Sequence, residues 1–368
     1  SDEDMNAFTV DTQLQSNFAT GEVDHVLLTG VDYSRMRNDV DAQYGSASSL
    51  DMNNPQYGNA NVAVNFPYAV LNRMEQTGLY AQDQMEWDKW VLTLGGRYDY
   101  ATTSTLTRSS NSLAQNHDQQ FTWRGGINYL FDNGISPYFS YSESFEPTSG
   151  STKEGKPFDP SRGKQYEAGV KYVPKDMPVV LTAAVYQLTK NKNLTSDPND
   201  STGLYSVQTG EIRSRGIELE AKAAVNENIN VTAAYSYNDA EYTEDTIFKG
   251  KRPAEVPRNQ ASLWTDYTFY DTALSGLTFG AGVRYTGSTV SYYKNDAAKK
   301  NEAFSVAGYA VADAMVKYDL GRFGLPGSSV AVNVNNLFDR DYVSSCYSEY
   351  ACYWGAERQV VATATFRF

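Results

Sequence analysis

Apolar and polar residues alternate along most of this chain with a period of two. The last stretch is the cleanest case. Val360, Ala362, Ala364, Phe366 and Phe368 share one face, and Gln359, Val361, Thr363, Thr365 and Arg367 share the other. Successive side chains of a strand point to opposite faces, so this pattern predicts a strand with one apolar side. Trp90, Leu92, Leu94, Tyr98 and Tyr100 likewise oppose Thr93, Arg97 and Asp99. Ile217, Leu219 and Ala221 oppose Glu218, Glu220 and Lys222, and Ala312, Ala314, Val316 and Tyr318 oppose Asp313, Lys317 and Asp319. Helical spacing of apolar residues is absent. About fifteen strands follow from this pattern. They lie near 6–20, 23–39, 66–86, 89–105, 118–131, 136–147, 163–174, 178–191, 203–225, 228–244, 257–271, 276–292, 304–320, 328–344 and 354–368.

These strands are long, about 12–20 residues where about 5–6 is usual. Their connections come in two kinds. Short ones hold turn chemistry, as in Asp132-Asn133-Gly134. Long polar ones lie near 40–65, 106–117, 148–162, 192–202, 245–256, 291–303 and 345–353. Short turns alternating with long loops are the signature of an antiparallel transmembrane β-barrel, with the turns on the periplasmic side and the loops outside. A sandwich also alternates, but it needs shorter strands. Aromatics at strand ends (Trp87, Trp90, Tyr98, Tyr100, Tyr318, Phe366, Phe368) suit the two interfacial girdles of such a barrel.

Composition supports this reading. The chain is 13% aromatic yet polar on average, with a mean hydropathy of -0.52. It has no run of eighteen apolar residues, which excludes membrane-spanning helices but not spanning strands. A net charge of -13 argues against a nucleic-acid partner, since phosphate binding needs a basic surface. The opening SDEDMNAFTV has neither the charged nor the apolar part of a signal peptide, so the expectation is a mature form, a cleaved product or a fragment.

Little points to catalysis or to a bound metal. His25 and His117 are far apart in sequence. G-x-S-x-G, a phosphate loop and H-E-x-x-H are all absent. Glu218 and Glu220 share a strand face, a spacing that reads as wall structure rather than as an acid–base pair. Cys346 and Cys352 suggest a short disulfide loop in an exported protein. A metal pair is the rival reading, but it needs two further ligands and no other Cys or His lies nearby. As a disulfide the loop would contribute roughly 2–3 kcal/mol at most.

Particular segments carry a resemblance. NVNNLFDRDYV (333–343) resembles the C-terminal signature of the TonB-dependent outer-membrane siderophore receptors. RSRGIELEAKA (213–223) and GKQYEAGVKYV (163–173) resemble strands of that family. QFTWRGGINYLFDNGISPYFSYSESFEP (120–147) and GAERQVVATATFRF (355–368) resemble its branch for ferric hydroxamate siderophores of the ferrichrome type. The likeness runs from about Asn6 to Phe368 and is weakest at 45–65, 106–117 and 291–303.

The resemblance implies a 22-stranded barrel filled by an N-terminal plug. Residues 1–368 would then be the C-terminal part of that barrel, with the plug and about seven first strands absent from this chain. Fifteen strands is an odd number that would leave two open edges in lipid, so a longer polypeptide is expected. The resemblance also implies residence in the outer membrane of a Gram-negative bacterium, against lipid and lipopolysaccharide. An Fe(III)-siderophore complex would be the ligand, with no cofactor held by the protein itself. The TonB complex would supply energy through the plug, and phages or colicins would dock outside.

Aromatics at two matching positions contact the siderophore in the family, which assigns Tyr44 and Tyr347 as siderophore-binding, with Trp354 a weaker candidate. Tyr44 is expected just past the top of the second strand, and Tyr347 inside the Cys346–Cys352 loop, which would hold it in place. Glu167, Lys171, Glu218, Glu220, Lys222, Arg284, Asp313 and Lys317 would face the lumen, as plug contacts or as a solvated wall. The alternative function is a passive porin, or a surface barrel for adhesion or phage docking.

Overall fold

The computed structural model describes residues 2–46, 51, 53–55, 58, 63–108, 110–197, 206–270, 272–293 and 298–367, and side chains of all of these except 43–46 and 63–68. The strands are β1 (Asp2–Thr20), β2 (Val23–Ser46), β3 (Ala63–Trp87), β4 (Trp90–Thr107), β5 (Ser112–Tyr129), β6 (Ile135–Glu146), β7 (Ser161–Tyr172), β8 (Val179–Ser196), β9 (Ser206–Ala224) and β10 (Ile229–Glu244). They continue as β11 (Asn259–Thr268), β12 (Leu277–Thr286), β13 (Thr289–Tyr292), β14 (Ala303–Val306), β15 (Tyr309–Asp319), β16 (Ser329–Asn335), β17 (Val343–Ser348), β18 (Ala351–Trp354) and β19 (Gln359–Thr365). Fifteen of them make one antiparallel sheet in the order β1 to β12, then β15, β16 and β19. β13–β14 and β17–β18 are separate two-stranded hairpins. Among the described residues, β1 and β19 are the two ends of the sheet and do not pair with each other.

Registers place the alternating residues as their period requires. Leu79 lies opposite Val31 and Tyr98, and Tyr98 opposite Phe121, so an apolar row crosses four strands. Leu79, Tyr98 and Phe121 are all exposed, as a face that meets lipid should be. On the other face Glu218 lies opposite Ala184 and Ser236, and Arg284 opposite Val311 and Ser262. That face is polar and carries long side chains laid across their neighbours.

Two glycines make this possible on β2 and β3. The Tyr80 ring crosses Gly30, and its hydroxyl donates to Asp11 Oδ1 at 2.9 Å. A Cβ at Gly30 would stand 2.3 Å from that ring. The Arg97 guanidinium crosses Gly78 in the same way and pairs with Asp32 on β2, its Nη2 lying 2.9 Å from Asp32 Oδ1. Its Nε donates to both oxygens of Asp99 at 2.8 Å, and Gln76 donates to Asp99 Oδ1 at 2.7 Å. Glycine in a strand interior thus marks close approach by a neighbour.

The structure departs from the periodicity at several strand ends. The segment 106–117 is not a long loop: β4 and β5 stay paired out to Thr107 and Ser112. Strands expected at 276–292 and 304–320 each break, and their upper parts fold off as β13–β14. The breaks fall at Gly287 and Gly308, where a Cβ on Gly308 would stand 2.9 Å from the Gly287 carbonyl carbon, so only bare backbones can meet there. The strand expected at 328–344 stops at Asn335, because Asn336 turns to φ 51°. The final strand spans Gln359–Thr365, and Trp354 belongs to β18 instead.

Candidate functional site

The last connection of the sheet, between β16 and β19, holds the β17–β18 hairpin. β17 and β18 pair through Val343 with Trp354 and Cys346 with Cys352. Cys346 and Cys352 are joined by a disulfide, so the hairpin is closed covalently. Alternation again sorts its side chains. Cys346 and Ser348 are buried, while Tyr347 between them is 58% exposed. Tyr350, Tyr353 and Trp354 are exposed as well, so the hairpin offers four aromatic rings to solvent.

At the root of the hairpin, the Tyr342 ring packs against that of Tyr309, tilted by 31° with centroids 4.1 Å apart. Both line a hollow of about 430 Å³ on the polar face, with Arg284, Gln260, Ser236 and Glu218 among its other walls. Arg284 is held in a fork by Asp313, at 2.6 and 3.0 Å. β13 also packs against β17, so two outer hairpins meet beside this hollow.

Other outer loops are fastened to the wall. Asp159 in the 147–160 connection meets Lys192 at 2.8 Å. Its backbone N–H and C=O are both bonded to the Gln208 side chain, at 2.6 and 2.5 Å. The Lys192 ammonium beside Asp159 holds its carboxyl below the ordinary carboxylate value. In the 245–258 connection, Lys251 sits 5.6 Å above the rings of both Phe248 and Tyr292. Burial and the nearby Arg258 push the Arg252 guanidinium down from its usual value.

The expected site residues are only partly brought together. Tyr347 and Trp354 share the disulfide hairpin. Tyr44 lies within β2 rather than past its top, with its backbone opposite Phe66, and its side chain lies outside the described residues. Arg284 and Asp313, expected as plug contacts or as a solvated wall, form one pair beneath the hairpin. The strand pattern does not mark out Tyr309, Tyr342 or Asn336. For Asn336 a signal was available, since Asn is among the few residues that tolerate left-handed backbone. No group of three or more His, Cys, Asp or Glu suited to a metal ion occurs among the described residues.

A long-stranded sheet with an apolar outer face, a polar inner face and built outer loops defines a bacterial outer-membrane β-barrel. Comparison with known proteins makes the family specific. The family model described as TonB dependent receptor-like, beta-barrel matches residues 2–337, and the chain belongs to this family. It is 57% identical to the ferrichrome outer membrane transporter/phage receptor of Escherichia coli K12 over 375 residues, which is 100% of this chain and 49% of that protein. It is 38% identical to the ferrioxamine B receptor of Salmonella typhimurium SL1344, again over 100% of this chain and 51% of that protein. The chain thus spans about half the length of the curated relatives it matches. Among solved structures, the siderophore receptor PiuA from Acinetobacter baumannii superposes with a TM-score of 0.78 at 24% identity, over 99% of this chain and 56% of that one. That likeness shows the barrel fold.

Proposed function

We propose that this chain is the C-terminal part of a 22-stranded receptor that takes up ferric hydroxamate siderophores of the ferrichrome type, energised by TonB acting on an N-terminal plug. The observation that carries the reading is the disulfide-closed hairpin, which offers Tyr347 and its neighbours beside a hollow lined by tyrosines and hydrogen-bonding groups. A siderophore brings its own iron ligands, so its receptor needs rings and donors rather than a metal cluster. Identity of 57% to a ferrichrome transporter, over the whole of this chain, supports the ligand class.

Among the described residues the sheet ends unpaired at β1 and β19, which supports the reading as part of a larger barrel. Unpaired backbone groups in hydrocarbon cost several kcal/mol each, so β1 and β19 need further strands to close on. Membrane lipid and lipopolysaccharide would cover the apolar face. The name of the same relative includes phage receptor, and the exposed outer hairpins suit docking by a phage or colicin as a second use of this surface.

The test uses the full-length receptor in outer-membrane vesicles with ferrichrome as ligand. Replacing Tyr347 by Ala, and separately Tyr44 by Ala, is expected to weaken ferrichrome binding, and uptake in cells is expected to stop when TonB is deleted. Unchanged binding in both variants, or ferrichrome flux that persists without TonB, would refute the reading in favour of a passive pore.

A further inference from the structure

The segment that carries Tyr347 leaves the sheet after β16 and returns at β19, and one side chain holds both of its ends. The Asn336 amide nitrogen donates to the carbonyl of Arg340 at 2.9 Å and to that of Ala356 at 3.1 Å. Its Oδ1 accepts from the Arg340 N–H at 2.9 Å. Arg340 lies just before β17 and Ala356 just after β18, so these three bonds clasp the two stems of the disulfide hairpin. Asn336 is only 4% exposed, and such bonds count for more when shielded from water.

Asn336 is itself anchored to the wall. Its backbone N–H donates to Asp313 Oδ1 at 2.9 Å, and Asp313 is forked by Arg284. A line of contacts therefore runs from β12 through β15 and Asn336 to both stems. The Gly355 N–H adds a bond to the Tyr342 carbonyl at 2.7 Å. The disulfide acts differently. It closes the hairpin on itself but sets nothing about how the hairpin leans on the rim.

We propose that Asn336 is a positioning residue for siderophore capture: its carboxamide fixes the tilt of the β17–β18 hairpin, and with it the direction in which Tyr347 meets the ligand. Asp313 and Arg284 hold Asn336 in that role. The proposal rests on Tyr347 being a siderophore contact. A carboxamide is suited to the task because it donates and accepts at once. Asn336→Asp keeps the size and the left-handed tolerance, yet points an acceptor at two carbonyl oxygens.

The experiment compares Asn336→Asp, Tyr347→Ala and the double variant in the full-length receptor. It reads ferrichrome affinity and hydrogen exchange over 343–354. Asn336→Asp is expected to weaken ferrichrome about tenfold, within the range that coupled neighbouring groups show. Exchange should rise in 343–354 and stay unchanged in β15 and β16. The double variant should bind no more weakly than Tyr347→Ala alone, which a general loss of barrel stability would not produce. Asp313→Asn serves as a second variant, expected to act in the same direction with smaller size. If Tyr347→Ala weakens binding while Asn336→Asp and Asp313→Asn change neither affinity nor exchange, the inference fails by itself. Additive losses in the double variant overturn it as well. If Tyr347→Ala leaves binding intact, the reading of Tyr347 fails and takes the proposal with it.

Discussion

Replacing Arg97 by Met should destabilise the barrel wall far more than removal of an ordinary surface arginine. The reason is Asp99, whose side chain is only 3% exposed. Three of its contacts come from Arg97, at 2.6 to 2.8 Å, and one from Gln76. Without the guanidinium, a shielded carboxylate keeps a single neutral donor. Breaking a buried pair by removing one partner costs about 3–5 kcal/mol. Arg97 retains 31% of its side-chain exposure, so water softens the loss, and about 3 kcal/mol is the working value. Arg35→Met is the control. Its partner Glu75 lies 3.3 Å away, with the two side chains 54% and 48% exposed, a geometry in which a pair contributes at most about 1 kcal/mol. Arg97→Lys should recover little, because an ammonium cannot fork two carboxylates. The assay is urea unfolding of the full-length receptor in lipid vesicles, followed by tryptophan fluorescence. An Arg97→Met midpoint no lower than that of Arg35→Met would refute the reasoning.

Three further outcomes follow from the same structure. A Cβ at Gly355 would stand 2.0 Å from the Tyr342 ring, so Gly355→Ala should cost about 1–3 kcal/mol and lower the same unfolding midpoint. Exchanging Cys346 and Cys352 together for Ser should cost roughly 2–3 kcal/mol at most, and reduction of the native protein should add the mass of two hydrogens. Asp159 has a folded value below its unfolded one, so its hold on the 147–160 loop is complete at neutral pH. That hold is lost as pH falls below about 4 and through the folded value. Hydrogen exchange in 147–160, corrected for intrinsic rates, should therefore stay level from about pH 7 to 5 and rise below about 4, while Asp159→Asn raises it at neutral pH.

Much of the wall was legible because facing direction in a strand is local. Ile217 and Glu218 take opposite faces whatever their partners are, and the fifteen strands of the main sheet match the number read from the pattern. Strand ends were less legible. Gly287 and Gly308 break two strands only because they meet each other, and β4 and β5 run past their expected ends because they go on pairing. The site was half legible. Tyr347 and Trp354 were expected from the likeness to a known family rather than from the strand pattern, and the clasp beneath them joins residues that only the chain's return path brings together.

The sequence by itself determined which residues would face lipid and which the lumen, since a two-residue period needs no knowledge of neighbours. Tertiary structure alone decided what those lumen residues do. Arg97 and Asp32 are 65 positions apart and meet only because β2, β3 and β4 pair in one register, with Gly78 leaving the way clear between them. Asn336 becomes a clasp only because the chain leaves the sheet at Asn335 and comes back past Ala356. Alternation is a property of one strand, whereas register and return path belong to several strands at once, and the contacts that hold this wall and its outer hairpin depend on the latter.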